Sequence, residues 1–330
     1  MPDELQQEVV ALVEQAKRRS GFSVGRTLTV LEIARSTYHR WRRASSRDAS
    51  PSPRSTPGNL YALLPWEKQA ICDYARTHPT VRHRELAWRM LDDGVCAVSS
   101  SSVYRALREA DLVCRWKPKQ KRKGQGREDR PDQPDQQWQT DIKYIRGERG
   151  NYYLLSFMDV YSRYIVHHRL LRTMDGRTVS TEAAAALETL HGTGAPVIQS
   201  DHGSCFIARE FAETLSAFGV THRKIRPHTP TDNAEIERFH RTLGEQLSEA
   251  DEADFKTTAN EIDRIMNHYN HERLHSSLGF LRPVDVYRGN PAALQANRRR
   301  TLQQAKALRK QENLKLRQSQ LPWPEPKTVA

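Results

Sequence analysis

The sequence has few cysteines and no long apolar segment, and both absences limit the kind of protein it encodes. Its four cysteines lie far apart, with no C-x-x-C pair and no zinc-finger spacing of His and Cys: Cys72, Cys96, Cys114 and Cys205. No apolar run approaches the roughly 18 residues that span a membrane, and the acidic N-terminus lacks the basic flank of a secretion signal. These features predict buried or idle thiols in a reducing bacterial cytosol, with no membrane partner.

Acidic residues are also outnumbered. The chain carries 52 lysines and arginines against 40 acids, for a formal charge of +12, and this excess suits a polyanionic partner such as nucleic acid better than an acidic small molecule. Its 330 residues exceed one ordinary core, and no fixed-period repeat is visible. We therefore expect several folded units and a nucleoid-associated, cytoplasmic protein.

The N-terminal segment, residues 1–43, has the pattern of a helix-turn-helix. A periodic helix over residues 4–18 precedes TLTVLEIARSTYHRWRR, which resembles a turn and a recognition helix. The candidate DNA contacts are Arg35, Ser36, Thr37, His39 and Arg40. A small basic helical hairpin with no DNA role is the alternative. The Ser/Pro-rich residues 44–58 then read as a linker.

A second helix-turn-helix-like domain is predicted over residues 59–114. Helices are expected at 65–77, 82–92 and 99–111, and the third would expose Ser101, Ser102, Arg105 and Arg108. A basic linker, residues 115–136, follows and is interpreted as an arm along DNA phosphates. Its candidate contacts are Lys117, Lys119, Lys121, Arg122 and Lys123. A solvated linker without DNA contact is the alternative.

The pattern changes at Trp138. QWQTDIKYI alternates with period two, so Gln139, Asp141 and Lys143 share one face of a strand. Three strands, a helix, a strand, a helix, a strand and further helices then follow in order. This order predicts an α/β ribonuclease-H-like catalytic core over residues 137–290, with a five-stranded mixed sheet and flanking helices, preceded by the two all-α helix-turn-helix units. Residues 291–330 are expected to form a basic C-terminal tail that binds phosphates.

Three carboxylates are candidate metal ligands. Asp141 lies within the first strand, Asp201 ends the fourth, and Glu237 lies one turn into a helix predicted over residues 233–248. Phosphoryl transfer by a pair of divalent ions requires hard oxygen ligands of this kind. If these side chains converge, they would hold two Mg²⁺ or Mn²⁺ ions beside a nucleic-acid backbone.

Two other acids near these positions are given structural roles. Glu235 follows Asp232 by three residues, a spacing that predicts a capping box between them. Asp159 is a rival ligand, but it precedes a turn, and we interpret it as capping that turn or pairing with Arg163. Glu237 is left free, with Arg241 one turn further along the same helix face.

Five ordered blocks carry a specific resemblance: WQTDIKYI, FMDVYSRYIV, SDHGSCF, PTDNAEIERFHRTL and YNHERLHSSLGFLRPVDVY. In these the chain resembles the integrase-core transposases of the insertion-sequence three family, OrfB type, and more distantly the retroviral integrases. The resemblance covers about Trp138 to Tyr287. Between Asp201 and Glu237 lie 35 residues, as in the DD35E signature. The resemblance implies that Asp141, Asp201 and Glu237 are catalytic and bind the metal ions.

The resemblance also implies a reaction and partners. Transposon ends would be nicked, and their 3′-hydroxyls would be joined to target DNA. The enzyme would be a homo-oligomer that binds double-stranded DNA, with a protein encoded in an upstream reading frame as a possible partner. Asn233 would shape the site. Relatives usually carry a lysine seven residues after the glutamate, where this chain has Gly244, and Arg238 and Arg241 are candidates to compensate. ERFH also replaces the commoner ESFF. The alternatives are a non-catalytic helix-turn-helix regulator and a plain metal-dependent nuclease of the same fold.

Overall fold

The structure is a computed structural model that describes residues 3–45, 59–113, 130–148, 150–190, 194–226, 230–247 and 254–320. The chain divides into two compact units, residues 1–60 and 61–330. None of the helices in these ranges is long and apolar enough to cross a membrane. The predicted contacts of the basic linker, Lys117 to Lys123, lie outside the described residues.

The first unit is a small three-helix bundle. Its helices are α1 (Asp3–Ser20), α2 (Val24–Val30) and α3 (Arg35–Ser45). Helix α2 begins at Ser23, whose hydroxyl accepts a hydrogen bond from the Arg26 amide and so satisfies one free N–H of the first turn. The bundle closes over Val13, Leu28 and Tyr38, which are almost completely buried. The two short helices match the expected helix-turn-helix order.

The second unit begins with another three-helix group: α4 (Pro65–Thr77), α5 (His83–Asp92) and α6 (Ser100–Glu109). Proline at the first position of α4 suits a helix start, because its missing N–H would have no intrahelical partner there. Ser99 caps α6 through a hydrogen bond from the Ser102 amide. Ile71, Leu86, Met90, Val103 and Leu107 form the buried centre of the group.

A five-stranded mixed sheet follows, as predicted. Its elements, in chain order, are β1 (Gln137–Gly147), β2 (Gly150–Asp159), β3 (Ile165–Leu171), α7 (Gly176–Glu188), β4 (Val197–Ser200), α8 (Ser204–Ile207), α9 (Arg209–Ala217) and β5 (Thr221–Lys224). The strand order is β3-β2-β1-β4-β5. Strands β1, β2 and β3 pair antiparallel, whereas β4 pairs parallel with both β1 and β5. This is the ribonuclease-H-like arrangement expected from the sequence.

The C-terminal elements are a 3₁₀ turn (Pro230–Asn233), α10 (Ala234–Leu247), α11 (Phe255–His271), a 3₁₀ turn (Ser276–Leu278), α12 (Pro283–Tyr287) and α13 (Pro291–Gln320). Helices α7 and α9 pack on one face of the sheet, around Trp138 and Phe157. Helices α10 and α11 pack on the other face, around Ile145 and Leu154. Because side chains alternate along a strand, the even positions of β1 face α7 and the odd positions face α10.

The predicted basic tail differs from the structure in a specific way. Residues 291–320 form one long helix, α13, and two of its arginines are buried in ion pairs with the three-helix group. Arg298 pairs with Asp92, and Arg309 pairs with Glu67. These two side chains are therefore not free to bind phosphates, because their charge is already neutralised inside the protein.

Candidate active site

Asp141 and Asp201 lie at matching positions on neighbouring strands. The parallel register of β1 and β4 places Gln139 opposite Gln199, and each aspartate lies two residues further along its own chain. Side chains two residues apart point to the same face of a sheet. The sheet therefore directs both carboxylates to the face covered by α10, and both are half-buried.

A pair of buried glutamines fastens the start of α10 to this face. The Gln139 side-chain amide donates to the Asp232 carbonyl at 2.9 Å, and its oxygen accepts from the Ile236 amide at 3.0 Å. The Gln199 amide donates to the same Asp232 carbonyl at 2.7 Å. Glu237 comes directly after the fastened Ile236, so its position relative to β1 and β4 is set by hydrogen bonds to both strands.

The charges of the predicted ligands act on one another. Burial and the negative charge of Asp141 raise the pKa of Glu237, while Arg241 and His240 oppose this rise. Nδ1 of His240 lies 3.2 Å from Oδ2 of Asp141, and the His240 side chain is only 9% exposed. Asp141 and Glu237 are thus close enough to interact electrostatically, as two ligands of one metal site must be.

The three carboxylates nevertheless do not form a closed cluster. Among the residues the structure describes, no three His, Cys, Asp or Glu side chains are grouped as a metal-binding set. Like charges repel at short range, and each aspartate has its own local partner: Asp141 accepts from the Ile142 amide and Asp201 from the Gly203 amide. The donor chemistry still fits a divalent cation, because all three ligands are carboxylates on one face and a cation would offset the repulsion at Glu237.

The neighbouring acids have structural partners that the sequence predicted only in part. Asp159 is fully buried and caps its turn, as expected, by accepting from the Ser162 amide at 2.7 Å and the Asp135 amide at 2.9 Å. Nη1 of Arg163 lies 3.3 Å from Oε1 of Glu235, so these two side chains form an ion pair. Glu235 also accepts from the Gln139 amide at 3.0 Å, so it helps to fix α10 on the sheet. This contact was not foreseen from the proposed capping box.

The predicted DNA contacts of the core occupy different environments. Arg238 and Arg241 are exposed on α10. Asn233 is only 3% exposed and lies 3.4 Å from the Gln199 amide. Its side chain lies inside the loop before α10 and is too deeply buried to contact a DNA strand directly, and its role in shaping the site stays a prediction.

The predicted contacts of the helical units lie at the surface. Arg35, Ser36 and His39 are exposed on α3, and Thr37 is half-buried. The side chain of Arg40 lies outside the described part of the structure. Arg105 and Arg108 are exposed on α6. Among them, the guanidinium of Arg35 lies against Gly25 of α2.

A groove on the three-helix group contains residues that the sequence did not single out. Its volume is about 470 Å³, and it is lined by His83, Arg84, Ser100, Ser101, Tyr104 and Arg105. Burial and the charge of Arg84 lower the pKa of His83. The groove brings the starts of α5 and α6 together, which only the packing of the two helices could reveal. His240 was likewise noted only as a departure from a motif, and nothing in the sequence indicated its contact with Asp141.

Comparison with known proteins identifies the domain that carries this site. The chain matches two family models described as integrase core domain, over residues 131–230 and 218–283. It is 30% identical over 161 residues to a transposase for the insertion sequence element IS904 of Lactococcus lactis. That match covers 48% of this chain and 63% of the relative, so the chain spans less than two thirds of that protein. The chain is similar to insertion-sequence transposases and contains a match to the integrase core domain.

Other matches extend over the same integrase core. The InsD transposase of insertion element IS2 from Escherichia coli is 26% identical over 225 residues, which is 64% of this chain and 74% of the relative. The integrase catalytic core of HTLV-2, solved in complex with magnesium, is 16% identical with a TM-score of 0.39. That comparison covers 48% of this chain and 99% of the viral chain. The two family models together include all three predicted catalytic acids.

Proposed function

We propose that the protein is a DNA transposase that binds the terminal inverted repeats of an insertion sequence and catalyses strand cleavage and strand transfer. The supporting observation is the alignment of Asp141 with Asp201 on adjacent parallel strands, with Glu237 fastened to the same face by hydrogen bonds to both strands. Three hard oxygen donors on one face are what phosphoryl transfer by divalent ions requires.

Asp141, Asp201 and Glu237 would hold two Mg²⁺ or Mn²⁺ ions. When bound, such ions activate a water or a DNA 3′-hydroxyl and stabilise the leaving oxygen during in-line displacement. The protein itself supplies orientation: the glutamine contacts hold α10 in place, and His240 restrains the Asp141 carboxylate. Exposed Arg238 and Arg241 would bind the phosphates that flank the reacting one.

Sequence recognition belongs to the helical units in this proposal. The exposed faces of α3 and α6 would read the inverted repeats, and the groove lined by His83, Arg84 and Arg105 would contact the DNA backbone. The reaction joins two transposon ends to one target, so the active form would be a homo-oligomer assembled on double-stranded DNA.

The test uses labelled DNA that carries the inverted repeats found beside the gene, incubated with the protein and Mg²⁺ or Mn²⁺. Strand-transfer products support the transposase. Cleavage without joining would instead identify a nuclease, and binding without cleavage would identify a regulator. We expect Asp201→Asn to abolish cleavage and joining while DNA binding stays within a few fold, because the helical units are unchanged. Cleavage retained by this variant would contradict the assignment of Asp201.

A further inference from the structure

Lys143 shares the catalytic face of β1. It follows Asp141 by two residues, so its side chain leaves the strand on the side covered by α10. Ile145, two residues further on, is buried in the cluster that contains Ile236 and Leu243 of α10. Lys143 is half-buried on this face. The strand therefore holds an ammonium group between its catalytic aspartate and the apolar contact with α10.

The side chain of Lys143 runs over Gly244 of α10. A Cβ atom built on Gly244 would lie 3.4 Å from Nζ of Lys143 and 3.7 Å from its Cε. Both are ordinary van der Waals distances, so the ammonium group lies directly beside position 244 of the helix. Gly244 follows Glu237 by seven residues, which on a helix is about 10 Å along the axis and nearly the same face. The ammonium group is thus placed on the strip of α10 that carries the catalytic glutamate.

This ammonium group has no acidic partner in the described part of the chain. Neither an ion pair nor a hydrogen bond joins its Nζ to another described residue, although exposed lysines elsewhere, such as Lys68 and Lys315, pair with glutamates. A half-buried cation without a counter-ion favours an anionic ligand, because such a ligand recovers the solvation that the cation has lost. The anion that a DNA-cleaving site receives at this position is a backbone phosphate.

We propose that Lys143 binds a phosphate of the DNA strand next to the reacting one, from its place beside Gly244 of α10. The inference rests on the proposed function. It also accounts for the departure at 244: the ammonium group of Lys143 already lies beside this position, so a positive charge reaches the same strip of α10 from β1.

The experiment compares four variants of the full chain: Lys143→Gln, Lys143→Arg, Gly244→Lys and the double variant Lys143→Gln/Gly244→Lys. Lys256→Gln, which removes an exposed lysine from α11, is the matched control. Binding to inverted-repeat DNA is measured against salt in an Asp201→Asn background, so that no strand is cut. Strand transfer is measured separately with the catalytic aspartate intact.

We expect Lys143→Gln to reduce the slope of log affinity against log salt by about 0.9, the change for one lost phosphate contact. Strand transfer should fall about ten-fold, the effect of one charged hydrogen bond. Lys143→Arg should stay near the wild type. The double variant should recover most of the loss, because the charge returns to the same place from α10.

The proposal is overturned if Lys143→Gln matches Lys256→Gln in both salt slope and strand transfer, or if Lys143→Arg is as defective as Lys143→Gln. Because these two comparisons do not involve position 244, they decide the matter even if Gly244→Lys fails to fold. Failure of the proposed function gives a different result: the wild-type protein would form no strand-transfer products at all, whatever residue occupies position 143.

Discussion

Replacing Arg309 with methionine tests whether α13 is bound to the three-helix group by a buried charge pair. Nε of Arg309 donates to both carboxylate oxygens of Glu67 at 2.8 Å, and its guanidinium also donates to the Ala97 carbonyl. The side chains of Glu67 and Arg309 are 3% and 9% exposed. Glu67 also accepts the Leu64 amide at 2.9 Å, so it cannot easily turn outward to water.

The expected loss in the free energy of unfolding is large. Removing one partner of a buried pair leaves an uncompensated charge and typically costs about 3–5 kcal/mol. The double variant Glu67→Gln/Arg309→Met removes both charges of this pair and should recover more than half of the lost free energy. Lys310→Met, which changes an exposed residue next to Arg309, should alter the free energy by no more than about 0.5 kcal/mol.

Urea unfolding followed by circular dichroism measures these differences, and amide hydrogen exchange in α4 and α13 locates them. Faster exchange confined to those two helices is expected in Arg309→Met. A loss below about 1 kcal/mol, within the range of an exposed ion pair, would refute the argument. So would a double variant less stable than Arg309→Met, because the cost would then not come from the unpaired Glu67 charge.

Three further predictions concern the core. Burial, together with the nearby Arg273, lowers the pKa of His275 to about 4. Below pH 6.5 the native state therefore binds fewer protons than the unfolded chain, and the free energy of unfolding should fall by up to about 3 kcal/mol as the pH drops from 6.5 to 4. Urea midpoints measured over this pH range should fall less in His275→Asn. Asp159→Asn should lower the free energy of unfolding by about 1–3 kcal/mol in thermal or urea unfolding, because an amide cannot accept every hydrogen bond that the carboxylate accepts. Strand cleavage should persist in this variant. A folded variant without cleavage would make Asp159 a metal ligand. Gln139→Leu should reduce the rate of strand cleavage by more than about ten-fold, because the Ile236 amide loses its hydrogen-bond acceptor on β1 and the start of α10 is no longer held there. Unchanged cleavage would show that this hydrogen bond does not position Glu237.

Much of the core could be predicted because its signals are local. Strand alternation around Asp141 depends only on neighbouring residues, and the fourth strand was expected to end at Asp201, one residue past the end of β4. The resemblance in five blocks then supported the three acids as candidate ligands. The site residues themselves remain predictions: the structure places Asp141, Asp201 and Glu237 on one face, and the cleavage assay tests their role as ligands.

The sequence by itself determined the order of helices and strands and the faces of β1, since these follow from spacing along the chain, and the resemblance singled out Asp141, Asp201 and Glu237 as candidate ligands. Only the tertiary structure decided which residues, distant along the chain, contact one another. Gln139 contacts α10 from 97 residues away, and Arg309 reaches Glu67 from 242 residues away. The contact of Lys143 with Gly244 is of the same kind. No local pattern encodes such pairs, because they form only when the sheet and its helices pack and bring distant residues into the same space.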